Sequence, residues 1–299
     1  MSKNWGTGDQ NNHCPGYVKY VADAVDIIIN STNGENKRVW IGPPAIPGYD
    51  TANKMGYDAF YKTYTNLYKN FFDDVKIAIG AEKWNKYVVG IYMGSEAVIG
   101  DMNDTSPETV KQNRHVKMFM EIAKKAHEPF TYNGKTWNAV KYLWSPYYHG
   151  TYSEAVKQTG LVINWTDIFD EVIIQPAYYF HTDNVTAYIP NLDALKETLW
   201  KQAMTWKKDA QGEYKIIGGT KKSKTRIGIQ MEIDADYFGT SPEKKKAYDD
   251  YVSYFSNKSH VIQGYNQDNY KFSYYFGGNG IKLIELQQKI REFHKVEPF

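Results

Sequence analysis

Residues 226–234 read RIGIQMEID, and apolar and polar side chains alternate along this stretch. An alternation with a period of two predicts a β-strand, because successive side chains of a strand point to opposite faces. One predicted face carries Ile227, Ile229, Met231 and Ile233, and the other carries Gly228, Gln230, Glu232 and Asp234. We expect the apolar face to pack on helices and the polar face to point into the interior. An unpartnered carboxylate would cost several kcal/mol there, so Glu232 is expected to be ion-paired or functional.

Similar apolar runs recur along the chain and alternate with helical patterns. Further strands are predicted at Arg38–Ile46, Tyr87–Met93, Val140–Trp144 and Glu171–Gln175, with Val261–Gly264 or Phe272–Phe276 as the last one. Helices are predicted at Gly16–Asn30, Tyr57–Ile79, Pro107–Ala126 with Ser106 as N-cap, Asn191–Lys208, Pro242–Phe255 and Ile281–Val296. Strands that alternate with helices are typical of βα units and a parallel sheet.

The one-to-one alternation favours a barrel over an open doubly wound sheet. We therefore predict an α/β fold that is (β/α)8 TIM-barrel-like, with residues 1–299 as a single domain. A closed barrel needs eight parallel strands, and the apolar runs provide only six or seven. We expect the barrel to be incomplete at its N-terminus, and its closure stays open. No Gly-x-Gly-x-x-Gly motif follows a strand, so no cofactor is predicted.

The composition excludes several classes of function. The 36 basic and 34 acidic residues leave a net charge of +2, which gives no electrostatic footprint for nucleic acid. No apolar run reaches the ~20 residues that span a bilayer. Cys14 is the single cysteine, and His149 and His181 lack metal-ligand spacing, so no disulfide and no metal site are predicted. We expect a monomer that is secreted or attached to the cell surface, with a cytoplasmic location left open.

Aromatic and polar side chains gather where the predicted strands end. Tyr, Phe and Trp make up 16% of the chain, and 26 residues are tyrosines. Aromatic rings stack on the C–H faces of sugars, and tyrosine adds a polar tip. TIM-barrel active sites lie at the C-terminal strand ends, so we expect these side chains to share one cleft. The candidate binding residues are Trp144, Tyr147, Tyr148, Gln175, Tyr178, Asp234 and Tyr275.

Two carboxylates follow this pattern, and two carboxylates are what glycoside hydrolysis needs. Glu96 comes just after the strand 87–93, and Glu232 lies near the end of the strand 226–234. One carboxyl group donates a proton to the leaving oxygen, and the other attacks the sugar or activates water. We predict Glu96 as the acid/base and Glu232 as the nucleophile. Their carboxyl groups should lie about 5 to 5.5 Å apart in a retaining enzyme and about 6.5 to 9.5 Å apart in an inverting one.

Five ordered motifs at the strand ends resemble the bacterial domain-of-unknown-function family 4855, of the glycoside-hydrolase-type TIM barrels. They are Trp40-Ile41-Gly42-Pro43-Pro44, Gly90-Ile91-Tyr92-Met93-Gly94-Ser95-Glu96, Trp144-Ser145-Pro146-Tyr147-Tyr148, Gln175-Pro176-Ala177-Tyr178-Tyr179-Phe180 and Gly228-Ile229-Gln230-Met231-Glu232-Ile233-Asp234. The resemblance covers roughly residues 15 to 280. It implies a TIM barrel, glycan-related work and the acidic pair Glu96 and Glu232. The family's first strands have no counterpart before Gly16.

The leading hypothesis is therefore a glycoside hydrolase that acts on a poly- or oligosaccharide. Two alternatives stay open. One is a non-catalytic carbohydrate-binding barrel, and the other is a structural module of a surface-layer or cell-wall assembly. If Glu96 is not catalytic, it would cap the loop that follows its strand. The sugar, the linkage and the choice between endo and exo cleavage are not encoded in any motif of the chain.

Overall fold

The computed structural model describes residues 14–31, 38–47, 49–98, 107–147, 159–163, 166–176, 178–180, 205–208, 214–217, 224–239, 241–256, 272–277 and 283–294. Contacts between residues divide the chain into two compact units. The first unit comprises residues 1–145 and 165–171, and the second comprises residues 146–164 and 172–299. The prediction of a single domain stays a prediction. Within the described ranges, no helix has both the length and the apolar composition needed to cross a bilayer.

The first unit combines a parallel sheet with helices. Its elements are α1 (Pro15–Asn30), β1 (Val39–Ile41), α2 (Tyr49–Met55), α3 (Tyr57–Ile79), α4 (Ala81–Tyr87), β2 (Val88–Met93), α5 (Pro107–Gln112), α6 (Arg114–His127), β3 (Phe130–Tyr132), β4 (Lys135–Trp137) and β5 (Lys141–Trp144). Parallel pairing gives the order β1–β2–β5, and β3 and β4 form an antiparallel hairpin. Its core is rich in aromatic side chains, among them the fully buried Phe60, Phe71 and Phe72 of α3.

Gly90 shows how tightly β1 and β2 pack. A methyl group at this position would overlap the ring of Trp40 and come within 2.6 Å of the carbonyl oxygen of Lys141. Gly90 is therefore required for the close approach of the Trp40 side chain, and a larger residue would force the strands apart.

The second unit carries the stretch from which the fold was predicted. Its elements are most of β6 (Glu171–Ile174), β7 (Thr205–Lys208), β8 (Tyr214–Ile217), β9 (Arg226–Asp234), a short 3₁₀ helix (Ala235–Phe238), α7 (Pro242–Ser256), β10 (Phe272–Gly277) and α8 (Leu283–His294). β9 lies between β6 and β10 and pairs with β10 in parallel, whereas β7 and β8 form an antiparallel hairpin.

Most of the predicted elements are confirmed. The strands at 87–93, 140–144, 171–175, 226–234 and 272–276 agree with β2, β5, β6, β9 and β10 to within one residue at each end. The strand predicted at 38–46 is confirmed only for 39–41. The alternative last strand at 261–264 lies outside the described residues. The α/β class with parallel strands is thus confirmed, and the closed (β/α)8 barrel stays a prediction.

Two helix predictions were wrong in part. The end of the helix predicted at 191–208 is the strand β7, and residues 191–204 lie outside the described ranges. The helix predicted at 107–126 is divided at Asn113, whose side chain accepts hydrogen bonds from the backbone N–H groups of His115 and Val116 at 2.9 and 3.1 Å. A side chain that caps a new helix start in this way ends the preceding helix. Ser106, the expected N-cap, lies outside the described residues.

Candidate active site

Glu232 lies two residues before the end of β9 and is buried, with 3% of its surface exposed. Its strand has neighbours on both sides, and its backbone register places it opposite Tyr275 of β10. The expectation of one apolar and one polar face needs correction, because Gly228 and Glu232 are buried like the apolar residues next to them. A strand with both faces covered is usual in parallel sheets. A carboxylate that is buried at this position therefore needs hydrogen-bond or ion-pair partners.

Two donors meet the carboxylate of Glu232 at the same oxygen. The hydroxyl of Tyr251 donates to Oε2 at 2.8 Å, and the backbone N–H of Tyr179 donates to the same atom at 3.1 Å. Both donors are neutral groups. Hydrogen bonds to a carboxylate favour its ionised form and burial opposes that form, so these contacts offset part of the desolvation cost and orient the carboxylate.

Tyr251 comes from α7, on a face that also buries Ala247 and Tyr248. The phenol oxygen accepts the backbone N–H groups of Tyr178 and Tyr179, each at 3.3 Å, while its own proton goes to Glu232. Burial, followed by the charge of Glu232, raises the pKa of Tyr251 well above its ordinary value. The hydroxyl therefore stays protonated and remains a donor.

Asp234 completes the group at the end of β9. Its Oδ1 accepts the hydroxyl of Tyr179 at 2.8 Å and the backbone N–H of Asp236 at 2.9 Å, and the latter bond caps the 3₁₀ helix. The ammonium group of Lys244 lies 3.7 Å from Oδ2 and 4.5 Å from the ring centres of both Tyr179 and Phe180. Burial, followed by the hydrogen bond to Asp234, raises the pKa of Tyr179. Asp234 thus positions Tyr179, whose backbone holds Glu232.

We call Glu232, Asp234, Tyr178, Tyr179 and Tyr251 the carboxylate–tyrosine cluster. All five belong to the second unit, so one compact unit assembles it from three segments of the chain. These segments are the end of β9, the loop after β6 and the middle of α7. Such a cluster can hold an ionised carboxylate next to protonated phenols, which is an arrangement for nucleophilic or general-base chemistry.

Tyr178 belongs to this cluster but cannot serve as the predicted stacking surface. It is 3% exposed, its ring packs edge-on against Tyr251, and its hydroxyl donates to Asp250 of α7 at 2.6 Å. The same Asp250 oxygen forms an ion pair with Lys246 at 2.7 Å. The predicted contact between a sugar and the Tyr178 ring is therefore corrected, because the side chain is used to attach the loop after β6 to α7.

Trp144 also differs from its predicted role. It is fully buried in the first unit, where its indole ring stacks on Phe169 and contacts Phe119. The indole N–H donates to the carbonyl oxygen of Ser95 at 2.6 Å. Trp144 is a core residue that anchors the segment after β2, and it offers no face to a ligand.

Tyr147, Gln175 and Tyr275 belong to the second unit. Tyr147 and Gln175 are partly exposed and form a parallel backbone bridge, and the N–H of Gln175 donates to the carbonyl oxygen of Pro146 at 2.9 Å. Tyr275 is on β10 opposite Glu232. Tyr148 lies outside the described residues.

Glu96 is exposed and belongs to the first unit, in the segment directly after β2. The preceding Ser95 is buried, and its hydroxyl donates to the carbonyl oxygen of Ala97 at 3.0 Å. Burial, followed by the charge of Glu96, raises the pKa of Tyr92. Glu96 thus has the position at a strand end that was predicted for it. Glu96 and Glu232 belong to different units, and the distance between their carboxyl groups stays a prediction.

Three residues of this region were not among the predicted site residues. Tyr179 was within reach of the sequence, since it is part of the same Gln-Pro-x-Tyr-Tyr stretch as Tyr178. Tyr251 and Lys244 carry no such signal, because a tyrosine and a lysine in an amphipathic helix look like ordinary core and surface residues. Only the packing of α7 brings them to β9.

Comparison with known proteins adds no family to this picture. No family model matches the chain, and no curated protein and no solved structure matches it either. The resemblance to family 4855 therefore depends on the five sequence motifs and stays a prediction. Among the described side chains, no group of three or more His, Cys, Asp or Glu residues is arranged to hold a metal ion.

Proposed function

We propose that the protein is a glycoside hydrolase acting on a poly- or oligosaccharide, with Glu232 as its nucleophile. The observation that carries this proposal is the state of Glu232. It is a buried carboxylate near the C-terminal end of a parallel strand, and two neutral donors contact one of its oxygens. These hydrogen bonds orient the carboxylate at the end of its strand. An ionised carboxylate in this position can stabilise the positive, oxocarbenium-like transition state of glycoside cleavage.

The proposed reaction has two steps. In the first, a Glu232 oxygen forms a bond to the anomeric carbon while the glycosidic C–O bond breaks, and Glu96 gives its proton to the leaving oxygen. In the second, Glu96 takes a proton from water, the water oxygen bonds to the anomeric carbon, and Glu232 is released. The exposure of Glu96 supports its part, because a residue that exchanges protons with water needs access to solvent. An inverting mechanism would instead use Glu232 as a base.

We propose that three further residues contact the substrate. Tyr147 and Gln175 are partly exposed, and Tyr275 lies opposite Glu232 in the backbone register. Asp234 is proposed to act indirectly, by positioning Tyr179. A polymeric substrate fits a protein that is secreted or attached to the cell surface, and a monomer suffices because the cluster around Glu232 is built within one chain.

The test is a panel of polysaccharides and oligosaccharides assayed for the release of reducing ends. Glu232→Gln should lower turnover roughly 10³-fold or more on any substrate that the wild type cleaves. The matched control is Glu171→Gln, because Glu171 is also buried but lies at the start of a strand and pairs with Lys141. We expect this control to keep turnover within about threefold of the wild type. Equal losses in both variants would contradict the assigned role of Glu232.

The alternative is a non-catalytic carbohydrate-binding barrel, and one observation favours it. With 3% of its surface exposed, Glu232 is as enclosed as a purely structural residue. A binding protein would show sugar affinity on the panel with no reducing-end release. Glu232→Gln would then change neither turnover nor the choice of ligand.

A further inference from the structure

The hydroxyl of Tyr251 has a contact pattern that determines where its proton points. Two backbone N–H groups, from Tyr178 and Tyr179, reach the phenol oxygen at 3.3 Å. A phenol oxygen has one proton and two lone pairs. With two donors directed at the oxygen, the proton is directed to Glu232 Oε2, at 2.8 Å.

From this geometry we propose that Tyr251 is a positioning residue, which fixes the orientation and the ionised state of the Glu232 carboxylate. The inference depends on the proposed role of Glu232 for its functional meaning, and it adds the residue that sets the charge of that carboxylate. Tyr251 acts through Glu232 and has no contact with the reacting sugar atoms in this account.

The helix that carries Tyr251 makes this role specific. Tyr178 donates to Asp250 of the same helix, and Lys244 of that helix lies against the rings of Tyr179 and Phe180. The loop after β6 is therefore attached to α7 at two positions, Asp250 and Lys244. These contacts hold the two backbone N–H groups in place, so that the phenol cannot turn its proton away from Glu232 without losing two hydrogen bonds.

The chain offers a close control in Tyr248, one turn earlier in α7. Tyr248 is also buried, and its hydroxyl has no hydrogen-bond partner among the described residues. Tyr248→Phe and Tyr251→Phe therefore remove the same atom from the same helix. Only the second variant removes a donor from a carboxylate.

The experiment titrates Glu232 directly in the full chain, by ¹³C NMR of protein labelled at the glutamate side-chain carboxyl carbons. Glu232→Gln identifies the Glu232 signal, because that signal alone disappears. In Tyr251→Phe the midpoint of the Glu232 titration should move to higher pH by about one unit, since the charged form loses a donor. In Tyr248→Phe it should stay where it is in the wild type. The acidic limb of the pH profile of kcat/KM should move with the midpoint in Tyr251→Phe, on whichever panel substrate is cleaved.

Different results would contradict the role of Tyr251 and the proposed function of the protein. A Glu232 midpoint that is unchanged in Tyr251→Phe, or that moves equally in Tyr248→Phe, overturns the role of Tyr251 even if Glu232 is essential for turnover. Turnover that survives in Glu232→Gln overturns the proposed function, whatever the titration shows. Circular dichroism spectra of both phenylalanine variants check that they are folded. If Tyr251→Phe does not fold, 3-fluorotyrosine incorporated at position 251 keeps the ring and the hydroxyl and makes the phenol a stronger donor, so the Glu232 midpoint should move to lower pH, and an unchanged midpoint contradicts the proposal.

Discussion

Glu171 and Glu232 are both buried carboxylates on strands, yet their surroundings differ. Glu171, 5% exposed, starts β6 and forms an ion pair with Lys141, with 2.6 Å between Oε1 and Nζ. Glu232, 3% exposed, lies near the end of β9 and receives hydrogen bonds from a phenol and a backbone amide. A lysine neutralises the carboxylate that it contacts, whereas a phenol and a backbone amide orient a carboxylate by hydrogen bonding. We therefore assign a structural role to Glu171 and propose a catalytic one for Glu232.

Lys76 is a buried cation whose direct contacts are a carbonyl oxygen and two aromatic rings. It gives the largest change in the free energy of unfolding that we predict. Its ammonium group donates to the carbonyl oxygen of Lys125 at 2.9 Å and lies 5.6 and 5.4 Å from the ring centres of Trp84 and Phe130. Burial lowers the pKa of Lys76 from 10.5 to about 8. These neutral contacts, together with the nearby charges of Asp73 and Glu128, do not remove the free-energy cost of burying the ammonium group.

The unfolded chain binds a proton at Lys76 up to pH 10.5, whereas the folded chain releases it near pH 8. Between these values the unfolded state holds more protons, so the free energy of unfolding should rise with pH across this window. The total rise is about 3 kcal/mol relative to Lys76→Met, which has no such proton. Denaturant titrations of both proteins at several pH values between 7.5 and 10.5 measure it. A difference between the two proteins that is flat with pH would contradict the assignment.

Removing Lys141 should show that the Glu171 pair is structural. Lys141→Met leaves Glu171 buried without its cation, and the free energy of unfolding should fall by about 2 kcal/mol, because Lys141 is itself partly exposed. The matched control is Lys124→Met, which breaks the exposed pair with Glu121 and should change the free energy of unfolding much less than Lys141→Met does. Denaturation monitored by tryptophan fluorescence compares the two. A loss of turnover in Lys141→Met under conditions where the variant is fully folded would contradict the structural role of Glu171.

The smallest effect concerns His127, next to the Glu171 pair. His127 Nε2 lies 2.8 Å from Asp170 Oδ2, and this hydrogen bond raises the pKa of His127. A raised pKa in the folded state means that the pair stabilises the protein at low pH and that this contribution is lost as pH rises above the ordinary histidine value of about 6.5.

Because both side chains are partly exposed, the contribution of the His127–Asp170 pair should be below about 1 kcal/mol. His127→Gln should flatten the decline of stability between pH 6 and 8, as measured by thermal melting in a pH series. A decline of the same size in this variant would assign it to another group.

The regular elements could be read from the sequence because their patterns are local. The alternation in RIGIQMEID predicted β9 with its observed bounds, and the apolar spacing of Tyr57–Ile79 did the same for α3. The hairpin of β3 and β4 was missed although Asn133-Gly134 is a strong turn signal, and both residues have positive φ angles. The strand β7 was predicted as helix, because its stability comes from pairing with β8 and not from its own composition.

The candidate site was predictable only in part, because the residues that contact Glu232 and Asp234 come from distant segments of the chain. Glu232 and Asp234 were found because a polar residue in a buried strand needs an explanation. Trp144 and Tyr178 were assigned to sugar stacking because aromatic residues at strand ends look the same whether they face a ligand or the core. Their burial follows from the packing of Phe119, Phe169 and Tyr251 around them, which no local pattern encodes.

Covalent trapping determines whether Glu232 is the nucleophile. The full chain would be incubated with the 2-deoxy-2-fluoroglycosyl fluoride of the sugar that the panel identifies, since the fluorine slows release of the glycosyl–enzyme more than its formation. Peptide mass spectrometry then locates the label. We expect one fluorosugar on the side chain of Glu232 and none in Glu232→Gln. A label on another carboxylate, or catalysis by the wild type with Glu232 left unlabelled, would contradict it.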